Sequence, residues 1–98
     1  MKTTEEVFKK ITKVTKTENM AVYAVGGYVR DILLGKKDQK DIDCVVVGSG
    51  LAFARSFDTA VKQVGSLVEF PDFDTARYIF EIKNTKQKTQ NSIVIEFA

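Results

Sequence analysis

Asp41 and Asp43 stand one residue apart at the head of the apolar run DIDCVVVG. On a strand, residues two apart point to the same face, so the two carboxylates project together. Mg²⁺ prefers hard oxygen donors and keeps several waters, and one or two carboxylates plus substrate phosphates commonly hold it. The spacing therefore suits metal-assisted chemistry on a phosphorylated substrate. Alone it proves nothing, because aspartates at a strand start also cap loops or sit in solvent.

The residues just upstream supply the missing context. Gly26 and Gly27 follow the apolar run MAVYAV and precede a helical pattern. A turn without side chains lets backbone N–H groups approach a phosphate, and the helix start behind it favours negative charge. Arg30 adds a planar, permanently charged contact, and Asp31 beside it can orient the arginine or the turn. Lys36, Lys37 and Lys40 lie on the approach to the aspartates. A second group, Lys83, Lys86 and Lys88, reads as a solvated loop. Histidine is absent, which removes imidazole metal ligands, histidine bases and Ser/His or Cys/His nucleophile pairs. The single cysteine, Cys44, has no disulfide partner in the chain and reads as a small buried hydrophobe.

These residues need a scaffold, and the hydrophobic pattern supplies one. Thr3 to about Thr17 predicts a helix, with Val7, Phe8, Ile11 and Val14 on one face and Thr3 and Glu6 spaced as a capping box. Met20 to Val25 predicts a buried strand, and Tyr28 to Leu34 a helix whose Val29, Ile32 and Leu33 face the core. Asp41 to Val47 is a β-branched strand closed by Gly48, Ser49 and Gly50. Leu51 to Val64 predicts a second long helix, carrying Leu51, Ala54, Phe57, Val61 and Val64 at helical spacing. Ser66 to Phe70, Thr75 to Ile82 and Ser92 to Phe97 are strands, with a turn at Pro71 to Asp74 and a loop from Lys83 to Asn91. Strands joined first by helices and later by hairpins give an α/β (α+β) fold: a mixed sheet of about five strands with helices packed on it.

A chain of 98 residues makes one domain, and 44% hydrophobic with 29% charged content is that of an ordinary globular protein. No run reaches the roughly eighteen apolar residues of a membrane span, and no apolar targeting segment follows Met1. The expected location is the cytoplasm, with no membrane partner. A formal charge of +2 is too small to argue for a nucleic-acid partner by itself. The chain ends on the apolar strand VIEFA, as a piece of a longer protein does. If Phe97 and Ala98 lay on an open strand edge, that edge would favour a homodimer.

The stretches GGYVRDILLG and KDIDCVV resemble the signature of the catalytic head domain of tRNA nucleotidyltransferases and bacterial poly(A) polymerases, in the polymerase beta nucleotidyltransferase superfamily. The likeness is specific from Val25 to Val47 and fainter afterward. It implies the nucleotidyltransferase fold, Mg²⁺ as cofactor, ATP or CTP as substrate, and an RNA 3′-hydroxyl as acceptor, in tRNA CCA addition at the tRNA 3′ end or in polyadenylation. By the same likeness Gly26, Gly27, Arg30 and Asp31 hold the triphosphate, and Asp41 and Asp43 bind the catalytic metal. The family also implies a third acid on a neighbouring strand, for which Glu96 is the candidate by position and Glu81 the competitor. An ordinary exposed strand glutamate remains the alternative for both. The base-selecting helix and the tRNA-holding domains of the family have no counterpart in these residues, so 1–98 reads as a head domain cut from a longer enzyme.

Two rival readings are weighed against it. VVVGSGLAF begins like a dinucleotide-binding fingerprint with Glu69 about twenty residues on, yet Phe53 occupies the third glycine position and would obstruct the close helix packing the motif needs. No phosphate-loop sequence ending in Gly-Lys-Ser/Thr is present. A noncatalytic binding or regulatory module on the same fold is the other alternative.

Overall fold

Thr3 starts the first helix as the sequence suggests: its hydroxyl accepts from the Glu6 N–H at 3.2 Å and relieves one of the orphan donors of the first turn. The computed structural model describes residues 3–35, 41–82 and 91–98, apart from the side chains of Tyr28, Asp31, Ile32, Ile82 and Asn91. Helix α1 (Thr4–Glu18) leads to strand β1 (Val22–Val25), short helix α2 (Gly27–Leu33), strand β2 (Asp41–Val46) and helix α3 (Gly50–Ala60). Strand β3 (Ser66–Phe70), a single 3₁₀ turn at Pro71–Phe73, strand β4 (Thr75–Ile82) and strand β5 (Asn91–Phe97) complete the order.

The five strands form one mixed sheet in the order β1-β2-β5-β4-β3. Only the central β2 and β5 run parallel; the other neighbours are antiparallel. Strand alternation then sorts the side chains. Ile42, Cys44 and Val46 of β2, Ala76, Tyr78 and Phe80 of β4, and Ile93, Ile95 and Phe97 of β5 all enter the core. Val7, Ile11 and Val14 of α1 and Phe53, Ala54 and Phe57 of α3 meet them there. Phe57 is edge-on to Tyr78 at 5.2 Å and tilted against Phe97 at 5.5 Å, so its ring sits at the centre of an aromatic cluster. Each such ring contributes about 1.5–3 kcal/mol by burial, and each well-angled pair about 0.5–1.5 kcal/mol more. Residues at the alternate positions face away from α1 and α3; Asp41, Asp43 and Val45 of β2 are exposed, while Val94 and Glu96 of β5 are half-buried.

Four expectations are corrected. The strand expected to be buried from Met20 to Val25 begins at Val22, lies at a sheet edge and exposes Tyr23 and Val25. Val29 and Leu33 do not enter the core: both are exposed, because α2 packs only on the β1 and β2 end of the sheet. Helix α3 stops at Ala60, since Lys62 and Gln63 turn left-handed with φ of 57° and 58°, and Val64 is thrown outward instead of packing. Phe97 is not on an edge. β5 lies between β2 and β4, and Phe97 is fully buried, so the strand edge on which a homodimer was expected does not exist. The sheet edges are β1 and β3.

Candidate active site

Strand β1 delivers the chain into the glycine turn directly beside β2. Val25 is the register partner of Asp43, so the next residue, Gly26, turns over the Asp43 side chain. Gly26 adopts φ 75°, a conformation that suits glycine, and a Cβ there would meet Asp43 Oδ2 at 3.5 Å. The bend and the carboxylate thus share one corner of the open sheet face. Arg30, one turn into α2, donates its backbone N–H to the Gly26 carbonyl at 3.2 Å. Its guanidinium folds back to within 3.6 Å of the space a Gly27 side chain would fill. Helix α2 has only seven residues and a correspondingly short dipole. The groups that could attract an anion at this turn are therefore the glycine backbone and Arg30. Asp31 lies in α2 with its side chain outside the described residues, as are Lys36, Lys37, Lys40, Lys83, Lys86 and Lys88 in full.

Asp41 and Asp43 are both exposed and flank buried Ile42, which places their carboxylates on one face, separated by two residues of strand. Glu96 joins them by register. It is the Cα partner of Asp43 on parallel β5, whereas Asp41 faces Val94. Glu81 sits opposite Ser92, four residues along β5 from Glu96 and roughly 13 Å away at the usual rise per strand residue. Of the two glutamates, the sheet brings only Glu96 to the aspartates.

A residue that sequence reasoning passed over completes the row. Arg77 of β4 is the register partner of Glu96, and its Nε donates to Glu96 Oε2 at 3.2 Å. The guanidinium carbon also lies 5.7 Å from the centre of the Phe70 ring. Asp43, Glu96 and Arg77 therefore run side by side across three adjacent strands. The signal was present, because Arg77 and Glu96 both alternate with core residues, but the strand order that pairs them lies beyond local pattern.

The donor set suits a hard cation: carboxylate oxygens on an exposed face, with a glycine turn free of side chains alongside. Among the described residues no three acidic or sulfur side chains already converge as a closed cage. The nearest hollow, about 640 Å³, is lined by Val25, Gly26, Val29, Arg30 and Leu33 and is largely apolar; neither aspartate lines it. Cys44 points the other way, into the core, where burial and secondarily the Asp43 charge push its thiol up to about 12, leaving it unreactive.

The dinucleotide reading fails on the same geometry. Phe53 is fully buried in the core, and the space above Gly50 is filled by the backbone oxygens of Asp74 and Phe97 at 2.7 and 2.8 Å, not left for a pyrophosphate. Glu69, the would-be ribose ligand, is bound by Arg55 through two hydrogen bonds of 2.8 and 3.1 Å, which hold its carboxyl below the usual range.

Comparison with known proteins agrees with this arrangement. Residues 22–95 match the family described as the poly A polymerase head domain. The chain belongs to that family. An A-adding tRNA nucleotidyltransferase of Geobacter sulfurreducens is 40% identical over 78 residues, covering 79% of this chain and 8% of the relative. A solved CCA-adding enzyme with ATP is 37% identical with a TM-score of 0.73, over 93% of this chain and 19% of that one. A tRNA nucleotidyltransferase complexed with a primer tRNA and an incoming ATP analogue is 34% identical with a TM-score of 0.66, over 90% of this head domain and 22% of that chain. The head domain thus spans less than a quarter of the length of these relatives.

Proposed function

We propose that this head domain forms the metal- and triphosphate-binding part of an RNA nucleotidyltransferase that transfers a nucleotide from ATP or CTP to a tRNA 3′-hydroxyl and releases pyrophosphate. The observation that carries the reading is the placement of the Gly26 turn over Asp43, where an added Cβ would stand 3.5 Å from Asp43 Oδ2, on the face that Asp41 shares. Two relatives whose names state A-adding or CCA-adding activity support the acceptor and the nucleotide. Cytoplasmic location, and residues 1–98 as one domain of a longer protein, go with the same proposal.

Each residue then has a task. Asp41 and Asp43 present oxygen donors for Mg²⁺, and Glu96 is the third carboxylate. Gly26 and Gly27 let the triphosphate approach the backbone, and Arg30 offers its fork to phosphate oxygens, with Asp31 beside it. Bound divalent metal would acidify the attacking hydroxyl and offset charge on the triphosphate and leaving group. The chain itself mainly fixes where those charges sit.

Calorimetry and electron paramagnetic resonance with Mn²⁺ and ATP test the reading. The parent chain is expected to bind ATP in a metal-dependent way, and Asp41→Asn/Asp43→Asn to lose that binding while keeping its fold. Equal metal and nucleotide binding by that double variant overturns the assignment. No metal-dependent ATP binding by the parent would favour the noncatalytic module.

A further inference from the structure

The three charges in the row Asp43, Glu96, Arg77 do not have equal claims on one another. Glu96 lies between a like charge and an opposite one, and its carboxylate makes its contact with Arg77. A cation bound at Asp43 would draw Glu96 toward β2, in competition with Arg77 on β4. We propose that Arg77 is a positioning residue which withholds Glu96 from the metal position, so that a divalent cation alone is held weakly and the third carboxylate is released only as cation and triphosphate arrive together. This rests on the functional reading above and adds a control element to it.

The physical case has three parts. Arg77 is seated, since its guanidinium lies over the Phe70 ring at 5.7 Å while its Nε holds Glu96 Oε2 at 3.2 Å. The pair is exchangeable, because one hydrogen bond joins side chains that remain 54% and 36% exposed. An exposed pair of this kind handicaps a competitor for the carboxylate by no more than about fivefold in affinity. The arginine also places positive charge one strand beyond Glu96, which disfavours a bare cation and disfavours less a cation that carries phosphate charge with it.

The contrast with Arg55 and Glu69 on the helix-covered face is instructive. There two hydrogen bonds lock the carboxylate, as befits a structural tie between α3 and β3. The Arg77 contact to Glu96 is through Nε to one oxygen.

Mn²⁺ affinity of the 98-residue chain, read by electron paramagnetic resonance without nucleotide, tests the idea. At 0.15 M salt the Debye length of about 8 Å damps the bare charge effect, so coupling through Glu96 dominates. Arg77→Met, which keeps an apolar stem against Phe70, is expected to tighten Mn²⁺ roughly two- to fivefold. In a Glu96→Gln background the same change is expected to shift affinity less than about twofold, and adding ATP to the parent chain to shrink the advantage of Arg77→Met. Arg77→Gln makes the same comparison should the Met variant misfold. Unchanged or weaker Mn²⁺ binding in both Arg77 variants, or an undiminished effect without Glu96, overturns the proposal. If Mn²⁺ affinity is instead indifferent to Asp41 and Asp43, the metal reading itself falls and takes this inference with it; if the aspartates matter and Arg77 does not, only the inference falls.

Discussion

Asp43 Oδ2 lies 3.5 Å from the point where a side chain on Gly26 would begin, so a turn and a strand well separated in sequence meet at one corner of the sheet. Gly26 is left-handed at φ 75°, a conformation that costs an ordinary L-residue about 1–2 kcal/mol. Gly26→Ala is therefore expected to remain folded with a melting temperature lowered by about 4–8 °C per kcal/mol. Its methyl group would also stand beside the carboxylate, so metal-dependent ATP binding should weaken by more than the melting change accounts for. A thermal melt combined with calorimetry separates the two effects, and full ATP affinity in a folded variant would contradict the shared corner.

Register places Glu96, and not Glu81, beside Asp43. With ATP present, Glu96→Gln is expected to weaken Mn²⁺ binding, whereas Glu81→Gln, roughly 13 Å along the sheet, should leave it unchanged. Both positions retain exposure, so neither change should alter stability by more than about 0.5 kcal/mol. The reverse ranking in a Mn²⁺ titration would reject Glu96.

Phe57 touches Tyr78, Phe80 and Phe97 and has no exposed surface. Phe57→Ala is expected to cost about 3–5 kcal/mol, a large share of the roughly 5–15 kcal/mol that holds a domain together. Urea denaturation should show a loss of at least about 3 kcal/mol or no folded state at all. A loss below about 1 kcal/mol would mean that the aromatic cluster is not the centre of the core.

Tyr78 makes stability depend on alkaline pH. Burial, and then the hydrogen bond its hydroxyl donates to Asp58 at 2.5 Å, push the phenol up to about 12, against an opposing contact in which the Gly65 N–H donates to it. In the unfolded chain a tyrosine ionises near pH 10. The folded state thus holds the proton more tightly, and the stabilisation is complete below about pH 10 and lost as pH rises from there through about 12. Urea midpoints should decline over that window, and less steeply in Tyr78→Phe. Parallel declines in the two proteins would show that Tyr78 does not contribute.

The sequence made some of these features legible and hid others for identifiable reasons. The α1 face, the β2 run and the alternation of Ile93, Ile95 and Phe97 are local patterns, and each element buries the residues its period selects. The glycine turn and the aspartates were readable because both depend on short spacings. Arg77 was not, since its importance comes from lying opposite Glu96 across a strand pair. The outward course of Val64 and the exposure of Leu33 were also hidden, for helical spacing tells which residues share a stripe but not where the neighbouring element ends. The position of β5 was the largest surprise, because a final strand in the chain need not be a final strand in space.

That placement has a temporal consequence. The β1-β2 pair on one side and the β3-β4 pair on the other touch β5 and not each other within the sheet, so until residues near Phe97 have emerged from the ribosome no strand bridges them, though α3 contacts both. The carboxylate row spans that joint, and the nascent domain cannot assemble its acidic corner piecemeal during synthesis.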